Sequence, residues 1–162
     1  MVKASIHRLS HILDSVPPLL NALSEEELSL KPSAEKWSKK EILGHLIDSA
    51  TNNHHRFVRG QFESNPAIAY DQNQWNKFNF YQEMDHENII HFWTAYNVHL
   101  LEIVKHISPD HFKRKVMIDR ELMTLEGLFV DYVKHLEHHL NQIIQLPPNP
   151  WLLTHQNRLI TQ

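Results

Sequence analysis

The most informative stretch of the sequence is Lys134-His135-Leu136-Glu137-His138-His139-Leu140-Asn141-Gln142. It belongs to a longer segment in which apolar residues recur every three or four positions, the period of an α-helix. The apolar positions of this segment are Leu125, Leu128, Phe129, Tyr132, Val133, Leu136, Leu140 and Ile143. The pattern predicts a helix that buries one broad face, with Thr124 as its N-cap.

Two histidines of this helix are placed to bind one metal ion. His135 and His139 are four residues apart, and side chains at that spacing lie one above the other on the same helix face. His138 lies on the opposite face, among polar residues. A histidine at the edge of an apolar stripe is more often a hydrogen-bonded packing residue, so this segment alone leaves both interpretations open.

The length and composition narrow the classes of protein. A chain of 162 residues fits one domain, here a core at about 2–146 and a tail at 147–162, and it can bury a core without a structural metal. The sequence has no cysteine, which excludes disulfides, thiolate zinc sites and cysteine nucleophiles. Any bound metal is therefore expected to be functional, with histidine and carboxylate as the available ligands.

Charge and hydropathy predict where the protein acts. The net charge is −3 and the basic residues are scattered, so no nucleic-acid partner is expected. The N-terminal segment lacks the continuous apolar core of a signal peptide, and no stretch reaches transmembrane length. We expect a soluble cytoplasmic protein with no membrane partner.

Three glycines in the whole chain, few β-branched runs and long helical periods predict an all-α protein. Four long helices are expected at about 3–23, 39–62, 85–107 and from 125 to just before Pro147, and Pro17-Pro18 should kink or split the first. The segments 24–37, 63–82 and 108–122 are expected to be loops or crossing connections. This pattern predicts a four-helix bundle with long crossing connections. The inward-facing residues of the third helix are expected to be Ile89, Phe92, Trp93, Tyr96, Leu100, Ile103 and Val104.

A third metal ligand is sought on the second predicted helix, which begins with a capping-box pattern from Ser38 to Glu41. This helix carries His45, His54 and His55, and the first two lie near the edge of its apolar stripe. They are nine residues apart, about 13 Å along a helix axis, so they cannot bind the same ion. Periodicity does not decide which of the two joins His135 and His139.

The residues around His45 resemble a known signature. Trp37-Ser38-Lys39-Lys40-Glu41-Ile42-Leu43-Gly44-His45-Leu46-Ile47-Asp48-Ser49 looks like the first signature of the DinB/YfiT-like superfamily, and residues 135–142 are similar to its second. The resemblance covers about 2–146. It implies a four-helix bundle with an unusual order of helix directions, a divalent metal ion such as zinc or nickel, and a homodimer. The implied ligands are His45, His135 and His139.

The resemblance also implies a chemistry. Known activities of the superfamily include thiol transfer and mycothiol-dependent isomerisation, so we expect an enzyme that transfers a low-molecular-weight thiol to an electrophilic small molecule. A metal-dependent hydrolase is the alternative enzyme, because three histidines leave an open position on the metal for either chemistry. A non-catalytic helical interaction or dimerisation module is the alternative outside enzymes.

Several other residues are expected to have roles at or near the site. Asp48 lies one turn after His45 and is the candidate catalytic residue, orienting the site or acting as base; otherwise it is a solvated carboxylate or an ion-pair partner. Gln142 is expected to donate a hydrogen bond behind the metal site, Asn52 to line the cavity, and Glu137 to be structural. The segment 54–56 and Trp75 are expected to form an entrance, a subunit contact or an exposed face.

Overall fold

The computed structural model describes residues 1–149 and shows a mostly helical chain. The end of the predicted tail, 150–162, lies outside the described residues. In chain order the elements are α1 (Val2–Asn21), α2 (Glu25–Ser29), α3 (Lys39–Arg59), α4 (Gln72–Phe78), a 3₁₀ turn (Tyr81–Glu83), α5 (His86–His106), α6 (Pro109–Phe112), β1 (Lys115–Ile118), β2 (Glu121–Thr124) and α7 (Leu125–Ile143). Within 1–149, no helix is long and apolar enough to cross a membrane.

The four long helices are confirmed as α1, α3, α5 and α7, and they pack as a bundle. Both α1 and α3 pack against α5 and against α7. Helices that follow one another in sequence, α1 and α3, therefore lie diagonally across the bundle, as do α5 and α7. The segments before α3 and α7 therefore cross from one side of the bundle to the other.

The helices that carry the candidate ligands begin where the sequence predicts. At the start of α3, the Ser38 hydroxyl accepts a hydrogen bond from the Glu41 backbone at 3.1 Å, and the Ser38 N–H donates to the Glu41 carboxylate at 2.7 Å. At the start of α7, the Thr124 hydroxyl accepts from the Gly127 N–H at 3.1 Å. These caps satisfy N–H groups that have no partner inside the helix.

The core lies between the four long helices. All eight apolar positions predicted for α7 are buried, and the rings of Phe129 and Tyr132 pack edge to face on Phe57 of α3. On α5, Trp93 is fully buried. The prediction for Phe92 is wrong: it is 54% exposed and stacks on Tyr96, because the α5 stripe is narrower than its run of large apolar residues.

The two prolines of α1 do not split the helix, which continues through Pro17-Pro18 to Asn21. Two backbone donors are lost there. Val16 and Leu20, on either side of the pair, are fully buried, so core packing holds the last turn in place.

The connections contain more structure than predicted. The segment expected as a loop at 24–37 contains α2, whose capping box joins Ser24 and Glu27, and the segment 63–82 contains α4 and the start of the 3₁₀ turn. The connection predicted at 108–122 contains α6 and leads into an antiparallel hairpin of β1 and β2 at 115–124. Asp119 turns the hairpin with φ 53°, and Val116 anchors it in the core.

Candidate metal centre

The two helices bring the three predicted ligands together. One ligand atom from each of His45, His135 and His139 lies within 4.8 Å of the other two. His45 Nε2 is 3.3 Å from His135 Nε2, and the three ring centroids are 4.5 to 5.2 Å apart. Of the two α3 histidines considered as the third ligand, His45 joins the cluster, whereas His54 contacts Tyr96 of α5, with 3.0 Å between His54 Nδ1 and the phenol oxygen.

The Nδ1 atom of His139 has a hydrogen-bond partner, whereas those of His45 and His135 have none within residues 1–149. The Nδ1 atoms of His45 and His135 are buried and have no hydrogen-bond partner among the described residues. His139 Nδ1 lies 2.9 Å from Gln142 Oε1. Gln142 therefore lies behind the site as predicted, but its oxygen accepts a hydrogen bond instead of its nitrogen donating one. This contact favours His139 with the proton on Nδ1, which leaves Nε2 free to bind a metal.

Burial keeps the three imidazoles neutral. Desolvation, with the neighbouring histidines adding repulsion, lowers the pKa of His45 to about 3 and that of His135 to about 4. Desolvation also lowers the pKa of His139. Neutral imidazole is the form that binds a metal, so at pH 7 no proton has to leave before an ion binds.

A groove leads to the cluster from the surface. It has a volume of about 560 Å³, and its walls include His139, Gln142, Trp37 and Ile42. The indole of Trp37 packs on the imidazole of His45, with ring centroids 5.0 Å apart. A small molecule in this groove therefore lies against an aromatic wall and next to one of the three histidines.

Asp48 is not a solvated carboxylate, and it forms no ion pair among residues 1–149. It is 1% exposed, and one of its oxygens, Oδ1, accepts hydrogen bonds from the Tyr81 hydroxyl at 2.6 Å and the Asn79 amide at 2.8 Å. Its other oxygen, Oδ2, is buried and has no partner among residues 1–149. Burial raises the pKa of Asp48 to about 6, against the lowering effect of the two hydrogen bonds. Asp48 does not belong to the group of converging ligand atoms.

Other predicted residues lie outside the cluster. His138 is exposed, and Trp75 packs on Tyr70 beside a different surface cavity. Asn52 is buried with its amide on the Asp48 carbonyl oxygen, so it does not line the groove. Arg56, expected on an exposed face, is buried and donates to the Ile68 carbonyl oxygen.

Sequence reasoning missed three residues of the site. Trp37 begins the first signature, and its position just before the N-cap of α3 was the signal that could have given it a role. Tyr81 and Asn79 contact Asp48 from a connection more than 30 residues away in sequence. No periodic pattern predicts such a contact.

Glu137 is structural, as predicted. Its carboxylate forms an ion pair with Arg8 of α1, with 2.5 Å between Oε1 and Nε. Arg8 also donates to the Pro147 carbonyl oxygen at 3.1 Å. These contacts fix α7, the helix that carries two of the three histidines, against α1.

Comparison with known families shows which family the sequence matches. The model of the DinB superfamily matches residues 8–143. The chain is 25% identical over 142 residues to "Putative metal-dependent hydrolase YfiT" of Bacillus subtilis (strain 168), covering 83% of this chain and 80% of that protein. It is 24% identical over 139 residues to "Putative metal-dependent hydrolase BH0277" of Halalkalibacterium halodurans, covering 82% and 81%.

Solved structures show the same fold. The structure of YfiT from Bacillus subtilis, described as "a probable metal-dependent hydrolase with an unusual four-helix bundle topology", superposes with a TM-score of 0.80 at 22% identity, over 88% of this chain and 83% of that one. The mycothiol-dependent maleylpyruvate isomerase superposes with a TM-score of 0.72 at 8% identity, over 86% of this chain and 60% of that one. These likenesses confirm the predicted four-helix bundle.

Proposed function

The chain belongs to the DinB superfamily, and from that premise we propose that it is an enzyme that binds one divalent metal ion through His45, His135 and His139 and transfers a low-molecular-weight thiol to an electrophile. One observation carries the proposal: three neutral imidazoles from two helices converge beside an open groove. Three histidine ligands with an open position are typical of catalytic metal sites.

The three nitrogen ligands limit which metal ions the site is expected to bind. Three imidazole nitrogens suit zinc, nickel or copper better than magnesium or calcium, which prefer oxygen ligands. Within residues 1–149 no carboxylate joins the cluster, which further disfavours the oxygen-seeking ions. We propose zinc or nickel.

The bound ion would supply a position at which a thiol or a water loses its proton near neutral pH. The chain's own residues do the rest. Gln142 holds the ring of His139 through Nδ1, Trp37 and Ile42 wall the groove, and the groove's volume lies in the range of small-molecule sites, about 300–1,000 Å³. Asp48, with a pKa of about 6, is proposed to orient the site or to take up a proton.

Hydrolysis is the second candidate function, since the curated relatives YfiT and BH0277 are named as metal-dependent hydrolases. Thiol transfer is preferred because of the resemblance to thiol-using members, and the mycothiol-dependent maleylpyruvate isomerase shares the fold. Both reactions would use the same open position on the metal.

The test begins with metal content. Protein purified without an affinity tag or a nickel column should contain about one zinc or nickel per chain by elemental analysis, and the His135→Ala variant should contain none. His138→Ala is the control in the same helix, because His138 is exposed and outside the cluster, although it contacts Gln142. His54→Ala is the control without contact to Gln142, since His54 contacts Tyr96. A metal-free wild-type protein would refute both enzyme functions and favour an interaction module.

The second step separates the two reactions. Metal-loaded wild type, His135→Ala and His138→Ala are assayed with a panel of small thiols and a chloro-dinitro-aromatic or an epoxide, and beside it with an ester and amide panel. Thiol conjugation that is lost only in His135→Ala supports the first proposal. Activity confined to the ester and amide panel would replace it with hydrolysis.

A further inference from the structure

Tyr81 lies against Gly44 and donates a hydrogen bond to Asp48, two residues of α3 that stand on either side of His45 in the sequence. Asp48 follows His45 by three residues on α3, a spacing at which side chains of a helix are neighbours. Both are buried, each 1% exposed. Each has one polar atom without a hydrogen-bond partner among the described residues, Nδ1 of His45 and Oδ2 of Asp48. The first is a donor when it carries the ring proton, and the second is an acceptor.

We propose that Asp48 is the outer hydrogen-bond acceptor, through one water molecule, for the Nδ1–H of His45, and that Tyr81 is the positioning residue that holds Asp48 in this role. The inference rests on the proposed metal function, because it concerns how His45 is prepared as a ligand. It assigns Asp48 a role through His45, whereas the function above leaves open whether Asp48 orients the site or takes up a proton.

The orientation of the His45 ring determines which of its nitrogens carries the proton. Its Nε2 faces His135 Nε2 at 3.3 Å, so Nε2 is the nitrogen directed at the cluster. The proton of the neutral ring then belongs on Nδ1, and a buried N–H without an acceptor is costly. Neither His45 Nδ1 nor Asp48 Oδ2 has a hydrogen-bond partner among the described residues, so the two are not in direct contact. Asp48 Oδ2, one turn along the same helix, would satisfy the N–H through one water molecule.

The second step is the way in which Asp48 is held. Tyr81 and Asn79 both donate to Oδ1, at 2.6 and 2.8 Å, and this leaves Oδ2 as the free acceptor. Two donors on one oxygen fix the plane of the carboxylate. The carboxylate therefore does not have to be ordered when His45 binds a metal.

The third step is the position of the Tyr81 ring. A Cβ atom added to Gly44 would lie 2.2 Å from Tyr81 Cδ2 and 2.3 Å from Cγ, so the ring lies directly against the backbone of α3. Only glycine permits this approach. The residue before His45 is thus the one that lets the phenol reach Asp48.

The consequence is a ligand with a fixed tautomer. Metal-binding histidines commonly donate their other N–H to a carboxylate or a carbonyl, which fixes the ring and makes it a stronger ligand, and loss of that partner typically costs about 10- to 100-fold in metal affinity. His139 has such a partner in Gln142. Asp48 would serve the same purpose for His45.

The test uses Asp48→Asn and Tyr81→Phe in the full-length protein. Asparagine can still accept from Tyr81 and Asn79 through its oxygen, but it presents an NH₂ group, a donor, where His45 needs an acceptor. Zinc affinity is measured at pH 7 by competition with a chromophoric chelator, and the absorption of the cobalt-loaded protein reports the ligand field. We expect zinc to bind about 10- to 100-fold more weakly to Asp48→Asn and about tenfold more weakly to Tyr81→Phe, with shifted cobalt bands in both.

Two control variants lose the same chemical groups elsewhere. Asp14→Asn removes an exposed carboxylate from α1, and Tyr96→Phe removes a phenol that contacts His54. Both should bind zinc as wild type does. The melting temperature of each metal-free variant shows whether it folds normally.

The outcomes are distinct. Wild-type zinc affinity and cobalt spectra in Asp48→Asn and Tyr81→Phe would overturn the inference and leave the metal function standing, as would a loss of metal-free stability without a loss of affinity. Absence of zinc binding in the wild type would overturn the metal function, and the inference with it.

Discussion

Replacing Gly44 with alanine should destabilise the protein, although alanine is the better helix former. The new Cβ would lie 2.2, 2.3 and 2.6 Å from three carbons of the Tyr81 ring, distances at which atoms overlap. The ring cannot swing away freely, because it is buried and its hydroxyl is bonded to Asp48. The substitution therefore displaces either the ring or helix α3.

Two opposing effects set the magnitude. Overpacking of a well-packed core costs about 1–3 kcal/mol, and a contact this short to a tethered ring belongs at the upper end of that range. Replacement of glycine by alanine inside a helix gains about 0.5–1 kcal/mol. The net expected loss is about 2 kcal/mol in the free energy of unfolding, or a fall of about 4–8 °C in the melting temperature for a domain of this size.

Gly127→Ala is the matched control for the thermal and urea unfolding experiments. Its Cβ would lie 3.2 Å from Thr124 Oγ1, a tight contact with the N-cap hydroxyl, and 3.5 Å from Met123 Cγ. A small cost at the cap opposes the gain of up to about 1 kcal/mol from alanine, so we expect a smaller loss than for Gly44→Ala. In a Tyr81→Ala background the clash at Gly44 disappears, and there Gly44→Ala should be neutral or stabilising.

A Gly44→Ala protein that melts at or above the wild-type temperature would show that contact with the Tyr81 ring does not destabilise the fold. The same conclusion would follow if Gly44→Ala cost the same with and without the Tyr81 ring, because the cost would then not come from the contact between them.

Three further predictions concern the site. Alanine at His45, His135 or His139 should each abolish binding of one zinc ion in calorimetric titrations, whereas alanine at His54 should leave it unchanged; equal binding by all four variants would contradict the assignment. The metal-free protein should lose stability as the pH falls from about 6.5 toward 4, because the unfolded chain takes up protons on histidines of ordinary pKa, near 6.5, while burial keeps the pKa of folded His45 at about 3 and of His135 at about 4. Urea midpoints across this range should show a smaller slope in His45→Ala than in wild type, and an unchanged slope would be the contrary result. Chelation should leave the helical circular dichroism intact, because the apolar faces of four long helices form the core without the ion; loss of helicity would instead indicate a structural metal.

The periodic features of the chain were predictable from the sequence. The buried face of α7 and the caps of α3 and α7 follow from residue spacing and from hydrogen-bonding side chains at fixed offsets, which depend only on local geometry. The spacing of His135 and His139 predicts a pair for the same reason. The choice of His45 over His54 needed the family resemblance, because both lie near the edge of one stripe.

The remaining features depend on contacts between distant segments. Asp48 is covered by Tyr81 and Asn79, which reach α3 from the connection between α3 and α5. The sequence around Asp48 alone does not predict its burial. The hairpin at 115–124 forms because Val116 and Leu125 are buried in the core and the turn at Asp119 adopts a left-handed φ. No helical or alternating pattern at 108–122 is long enough to predict these strands, because their pairing and packing involve other segments of the chain.

Because the proposed ligands lie on two separate helices, the site can form only after both helices have been synthesised. His45 and His135 are 90 residues apart in the chain, and at synthesis rates of about 5–20 residues per second the ribosome makes the first about 5–20 s before the second. During that interval α3 carries one lone imidazole of the site, which cannot hold an ion by itself. In the proposed metal centre, capture of the ion would therefore follow the docking of α7 onto α3, and a chain folded without metal could be loaded after synthesis.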